Sequence, residues 1–119
     1  MKSKPTPSLV PRLRIVTGKD VAFGPGKAEL LALVGETGSI GKAAKRMGMS
    51  YMRAWSLIQT MNQCFKEPLV LAARGGQEHG GAELTRIGRR VLDLYRRMEM
   101  NSLKITRTDW KSLQRLLRD

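Results

Sequence analysis

Between Thr37 and Lys66 the chain places five basic residues, Lys42, Lys45, Arg46, Arg53 and Lys66, and no acidic one. A helix turns by about 100° per residue. On that spacing Ala54, Ile58, Met61 and Phe65 form one stripe, suited to a core, and Met52, Arg53, Ser56, Gln59, Thr60 and Gln63 lie nearly opposite. The second set is mostly polar, uncharged apart from its arginine, and rich in side chains that hydrogen-bond the edges of nucleic-acid bases. A merely solvated face is more often laced with Glu and Lys pairs, and this one has none. Arg53 has the chemistry for a bidentate guanine contact or a phosphate clamp. Gln59 suits adenine, but it sits further from the helix N-terminus, where base contacts concentrate. Met52, Arg53, Ser56, Gln59 and Thr60 are therefore the candidate base readers. Lys42, Lys45, Arg46, Ser50 and Gln63 are the candidate phosphate contacts, which fix register without carrying sequence information. Tyr51 and Trp55 flank the core stripe and admit two readings, core packing or stacking against a sugar-phosphate backbone.

The charge of the whole chain agrees with a polyanionic partner. Lys and Arg total 22 against 10 Asp and Glu in 119 residues, a net charge of +12. Nucleic acid is the default partner for such an excess, and an anionic membrane surface comes second. No stretch approaches the ~20 apolar residues of a membrane span, and no apolar run follows Lys2 and Lys4 to make a signal peptide. The single cysteine, Cys64, rules out an internal disulfide, as expected in a reducing cytosol. It sits in a helical pattern beside Phe65 and reads as a buried structural thiol. One His and one Cys, far apart, give no metal-ligand spacing, and no cofactor is expected.

These residues need elements to position them. Residues 1–10 read as a disordered basic arm and residues 11–105 as one domain, 41% of the chain being hydrophobic. Leu13–Val16 and Val21–Phe23 flank a turn and predict a hairpin. Pro25 stands at or just before the start of a helix with Leu30, Leu31, Leu33 and Val34 on its apolar face, ended by Gly38. Ser39 caps a second, short helix and Ser50 a third, running to about Phe65, with Gly48-Met49 between them. That is the pattern of a helix-turn-helix. Leu69–Ala73 and Ala82–Leu84 predict two strands around Arg74–Gly81, where four glycines in eight residues suit a hairpin tip, in this context a wing. Arg74, Gln77 and His79 on that tip are candidates for a minor groove or phosphates, with a bare surface hairpin as the alternative. Thr85 caps a long helix carrying Ile87, Val91, Leu92, Leu94, Tyr95 and Met98. The tail, 106–119, reads as an amphipathic basic segment in which Thr108 caps a last helix bearing Trp110, Leu113, Leu116 and Leu117. It either meets a protein partner or folds back on its own domain. The fold expected is mainly α with small β: a winged helix-turn-helix with an N-terminal hairpin, a three-helix core, a wing and a long C-terminal helix.

Gly38-Ser39-Ile40, Ala43-Ala44 and Gly48-Met49-Ser50-Tyr51-Met52-Arg53-Ala54-Trp55 resemble the N-terminal domain of ModE-type molybdate-responsive regulators. Met61-Asn62-Gln63, the run from Arg74 to Ala82 and Leu84-Thr85-Arg86-Ile87-Gly88 continue the resemblance, which covers roughly Leu13 to Met100. The Gly-Ser-Ile and Leu-Thr-x-x-Gly parts are shared with the broader LysR-like class. The resemblance implies a homodimer formed partly through the long helix after the wing, about Arg86 to Leu103, with Val91, Leu94, Tyr95 and Met98 as candidate dimerisation residues. It implies two recognition helices on palindromic half-sites about one helical turn, ~34 Å, apart. It does not extend to the molybdate-binding domains, so no oxyanion site is carried over.

The expected function is a sequence-specific, double-stranded DNA-binding transcriptional regulator, cytoplasmic and nucleoid-associated. The alternative is an architectural nucleoid protein with little sequence preference, which would be expected to show more Lys and Arg on its reading face. Nothing supports an enzyme: there is no catalytic Ser/His/Asp set, no plausible carboxylate pair, and no phosphate-loop pattern around Gly75-Gly76 or Gly80-Gly81.

Overall fold

A core of aliphatic side chains closes around Phe23, which is fully buried and meets the rings of Tyr95 and Phe65 edge-on, at centroid distances of 5.0 and 6.1 Å. Edge-to-face pairs bring the positive rim of one ring to the negative face of another. This is seen in a computed structural model, which describes residues 5–73 and 81–118.

The elements run β1 (Ile15–Thr17), β2 (Asp20–Phe23), α1 (Pro25–Thr37), α2 (Ile40–Arg46), α3 (Tyr51–Cys64), β3 (Val70–Ala73), β4 (Gly81–Leu84), α4 (Arg86–Ile105) and α5 (Arg107–Gln114). The hairpin β1–β2 is antiparallel, with an irregularity between Ile15 and Val16. The wing strands β3 and β4 pair antiparallel, Val70 opposite Leu84 and Ala73 opposite Gly81. The Ala82 amide donates to the Gly38 carbonyl at 2.9 Å, tying the wing to the corner between α1 and α2.

The helix starts follow the expected chemistry. Gly24 is the N-cap of α1, with Pro25 in its first turn, where a missing N–H costs nothing. Ser39 Oγ accepts from the Lys42 amide and Ser50 Oγ from the Arg53 amide, both at 3.1 Å, so each serine satisfies a donor the helix cannot. Gly48 takes φ 68° in the turn between α2 and α3, a left-handed conformation that costs a side-chain-bearing residue roughly 1–2 kcal/mol. That turn lets α3 leave α2 sharply, with Ala43, Ala44, Ala54 and Ile58 buried between them.

Two expectations change at the C-terminal end. Tyr95 belongs to the core and not to a dimerisation surface. It is 2% exposed and its hydroxyl donates to the Leu13 carbonyl at 2.7 Å, so the ring secures the segment before β1. Burial, with the nearby Glu99 carboxylate, pushes its phenol above the usual range, against a smaller opposing pull from Arg12. The second change concerns the tail. The cap before α5 is Thr106 rather than Thr108, which lies inside the helix, and the Thr106 hydroxyl donates back to the Ser102 carbonyl. None of the residues of α5 is buried, so this helix does not fold back into the core. Cys64 is half-buried and free, less enclosed than expected because it lies on the last turn of α3.

The distal part of α4 and α5 lengthens the molecule. Its radius of gyration is 17.6 Å, against about 13.5 Å for a compact chain of this length.

Gly88 fixes where α4 leaves the core. A Cβ at this position would lie 2.2 Å from the Leu69 carbonyl oxygen and 3.0 Å from its carbon. Gly88→Ala gains about 1 kcal/mol of helix propensity, but the clash is with backbone, which cannot swing aside. The variant is therefore expected to be less stable, by about 1–3 kcal/mol, in urea or thermal unfolding. Equal or greater stability would show that the helix is free to shift.

Candidate nucleic-acid interface

The third helix presents its polar residues as the periodicity demands. Met52, Arg53, Ser56 and Gln63 are exposed, while Gln59 and Thr60 are half-buried. The Thr60 hydroxyl donates to the Ser56 carbonyl at 3.1 Å, which occupies its one proton and leaves it an acceptor. Ala54, Ile58 and Met61 are buried. Neither α2 nor α3 contains an acidic residue, so the positive ends of both helices and their cations add without opposition.

Beside this face runs a groove of about 510 Å³ between α2, α3 and the wing strands. Lys42 and Lys45 line it from α2, Tyr51, Trp55 and Gln59 from α3, and Leu71 from β3. Arg53 lies on the opposite flank of α3, about 160° around the helix from Trp55. Arg46 points elsewhere: its guanidinium is 3.5 Å from the Glu36 carboxylate, with both side chains more than half exposed. An exposed pair of this kind contributes little and leaves Arg46 able to exchange partners. Arg74, Gln77 and His79 lie outside the described residues.

For Tyr51 and Trp55 the sequence leaves two readings open, core packing or stacking on a sugar-phosphate backbone. They are 49% and 42% exposed, so core packing does not describe them. Their spacing, one turn apart and next to the core stripe, fits a core edge equally well, and position alone gave no signal to separate the two.

Asn62 holds the wing against α3. Its Oδ1 accepts from the amides of Leu69 and Val70, at 2.8 and 3.2 Å, and its Nδ2 donates to the Val70 carbonyl at 3.0 Å. Leu69 and Val70 are buried, and water cannot readily replace such bonds.

The helix-turn-helix with its adjoining wing has a counterpart in known proteins. Residues 26–89, more than half of the chain, match the model for bacterial regulatory helix-turn-helix proteins of the lysR family. The chain belongs to the LysR family. It is 39% identical over 89 residues to the molybdenum transport protein ModE of Azotobacter vinelandii, covering 75% of this chain and 33% of that protein. It is 41% identical over 91 residues to the molybdenum-pterin-binding protein MopB of Rhodobacter capsulatus, covering 76% and 34%. With the DNA-binding transcriptional dual regulator ModE of Escherichia coli K12 it shares 45% over 71 residues, 60% of this chain and 27% of that one. The chain thus spans about a third or less of the length of these relatives. Among solved structures, the CbnR DNA-binding domain in complex with DNA superposes with a TM-score of 0.55 at 24% identity, covering 73% of this chain and 95% of that one. At that identity the likeness concerns the fold: this LysR-family chain and that domain share the winged helix-turn-helix. The family is regulatory, not enzymatic. Among the described residues no helix is long and apolar enough to cross a membrane.

Asn62→Ala would leave two amides and one carbonyl unmatched at the base of the wing. With ~1–3 kcal/mol for each buried polar group left without a partner, and some relief from water, a loss of about 2–4 kcal/mol is expected in urea unfolding. A loss under about 0.5 kcal/mol would mean that strand pairing alone holds the wing.

Proposed function

We propose that this LysR-family chain is a sequence-specific regulator that binds double-stranded DNA as a homodimer, with α3 in the major groove. The observation that carries the reading is the exposed, acid-free side of α3, set beside Lys42 and Lys45 at the mouth of one groove. The DNA complex of the similarly folded CbnR domain supports it. Met52, Ser56 and Gln59 are the proposed base contacts, with Thr60 as an acceptor. Lys42, Lys45, Ser50 and Gln63 are the proposed phosphate contacts, joined by Arg46 once it leaves Glu36. The displacement of Arg53 from the groove favours a phosphate clamp over guanine reading for that residue.

A seam along α4 supports dimerisation. Ile87 and Val91 pack against the core of their own domain, and Leu94, Met98 and Ile105 continue that stripe at steps of three, four and seven residues, the spacing that keeps an apolar seam facing a partner helix. Leu94, Met98 and Ile105 are exposed at 38, 46 and 85%. Burying such side chains against a second copy stabilises each by ~1.5–3 kcal/mol at full burial. The exposed Leu113, Leu116 and Leu117 beyond it suit the same partner or a further protein. Metal and cofactor play no part in this reading, and cytoplasmic, nucleoid-associated localisation accompanies it.

Selection of bound fragments from genomic DNA, then titration of the preferred duplex against a scrambled one, tests this function. A palindromic duplex bound at least ~10³-fold more tightly is expected. Equal affinities that fall steeply with salt would favour an architectural protein. Lys42→Ala and Lys45→Ala should each weaken all duplexes alike and flatten the salt slope by about 1. Arg53→Ala should do the same; lost preference at one base pair, costing about 1–3 kcal/mol, would return it to the base readers.

The double variant Leu94→Glu, Met98→Glu is expected to sediment as a monomer without change in the helical content of the domain. It should also lose preference for two half-sites over one. A dimer that survives both charges would place the interface elsewhere.

A further inference from the structure

We infer that Tyr51 and Trp55, with Leu71 across the groove, form an apolar surface that reads thymine methyl groups. The inference rests on the proposed insertion of α3 into duplex DNA and names what one side of that helix recognises. Tyr51 is the first residue of α3 and Trp55 follows one turn later, so both share a side of the helix. That end of a recognition helix is the part that approaches base edges.

Exposure makes the pair unusual within this chain. The two phenylalanines and Tyr95 pack with one another inside the domain, whereas Tyr51 and Trp55 stand 49% and 42% exposed, with Leu71 at 51%. Lys42 and Lys45 share the groove, and no carboxylate from α2 or α3 faces it. Cations around an apolar surface suit an occupant that is anionic outside and apolar within. A DNA strand has that chemistry: phosphates lie at its edge, and the thymine C5-methyl is the apolar group displayed in the major groove. Against the carbon faces of indole and leucine, the donors and acceptors of other base edges would lose water without a partner there, although Gln59 stands at the edge of the same groove. The apolar wall of the groove therefore favours thymine through its methyl group.

Substitution of deoxyuridine for thymidine throughout the preferred duplex tests this, because it removes the methyls and keeps charge and hydrogen-bonding groups. The wild-type chain is expected to bind the deoxyuridine duplex about fourfold less tightly for each contacted methyl, hence about tenfold or more across two half-sites. The double variant Tyr51→Ala, Trp55→Ala should bind both duplexes within about twofold of each other while keeping the helical content of the domain. Lys42→Ala should weaken both duplexes and preserve their ratio. Equal wild-type binding to the two duplexes overturns the inference, and so does a preferred site without thymine in its half-sites. A double variant that binds both duplexes less tightly yet keeps the wild-type ratio overturns it in favour of sequence-neutral stacking on the sugar-phosphate backbone. Failure of the wild-type chain to bind any duplex would remove the DNA-binding reading itself, and the inference with it.

Discussion

The backbone of Leu69 and Val70 is gripped from two sides, and the arrangement of α3, the wing and α4 depends on that grip. On one side the Asn62 carboxamide takes both amides and the Val70 carbonyl. On the other, the Leu69 carbonyl accepts from the Thr85 amide at 2.9 Å, while the Thr85 hydroxyl donates to Pro68 at 2.7 Å and itself accepts from the Gly88 amide at 3.0 Å. Thr85 thus caps α4 and fastens it to the strand in one geometry. Buried backbone groups must be paired somewhere. Here the pairing crosses three elements, so α3, the wing and α4 share one frame.

On α2 and α3 the charge is all of one sign. The acid-free helices α2 and α3 bring Lys42 and Lys45 beside an apolar groove, whereas Arg46, at the end of α2, is drawn towards Glu36 on α1. The polar side of α3 and the aromatic side of α3 are therefore neighbouring surfaces with different chemistry. One suits hydrogen bonding and the other suits groups that water solvates poorly. A helix only 14 residues long can hold both, because side chains at steps of three and four accumulate on separate flanks.

Much of this was legible from local signals. Ser39, Ser50 and Thr85 each announce a helix start, and each side chain makes its capping bond. The core stripe of α3 followed from spacing, because burial imposes periodicity. What could not be read was long-range. Tyr95 fits an outward stripe on α4 as well as an inward one, and Phe23 and Leu13, more than 70 residues earlier, decide the matter. Asn62 gave no sign of its grip, since its partners lie in the next element. The exposure of Tyr51 and Trp55 likewise depends on how far the wing stands from α3. For the tail, spacing placed Leu116 and Leu117 on the last helix, which ends at Gln114, and it does not say whether the apolar side meets its own domain or another molecule.

The contact between Gly88 and the Leu69 backbone has a consequence for geometry at a distance. A 20-residue helix extends about 30 Å, so a tilt of about 10° at its root would carry the far end through about 5 Å. With no room for even one extra carbon at the root, that lever has little play. In a dimer joined through α4, the separation of the two reading heads would be set like the legs of a locked calliper. Such a dimer would select its sites by the interval between their halves as well as by their sequence.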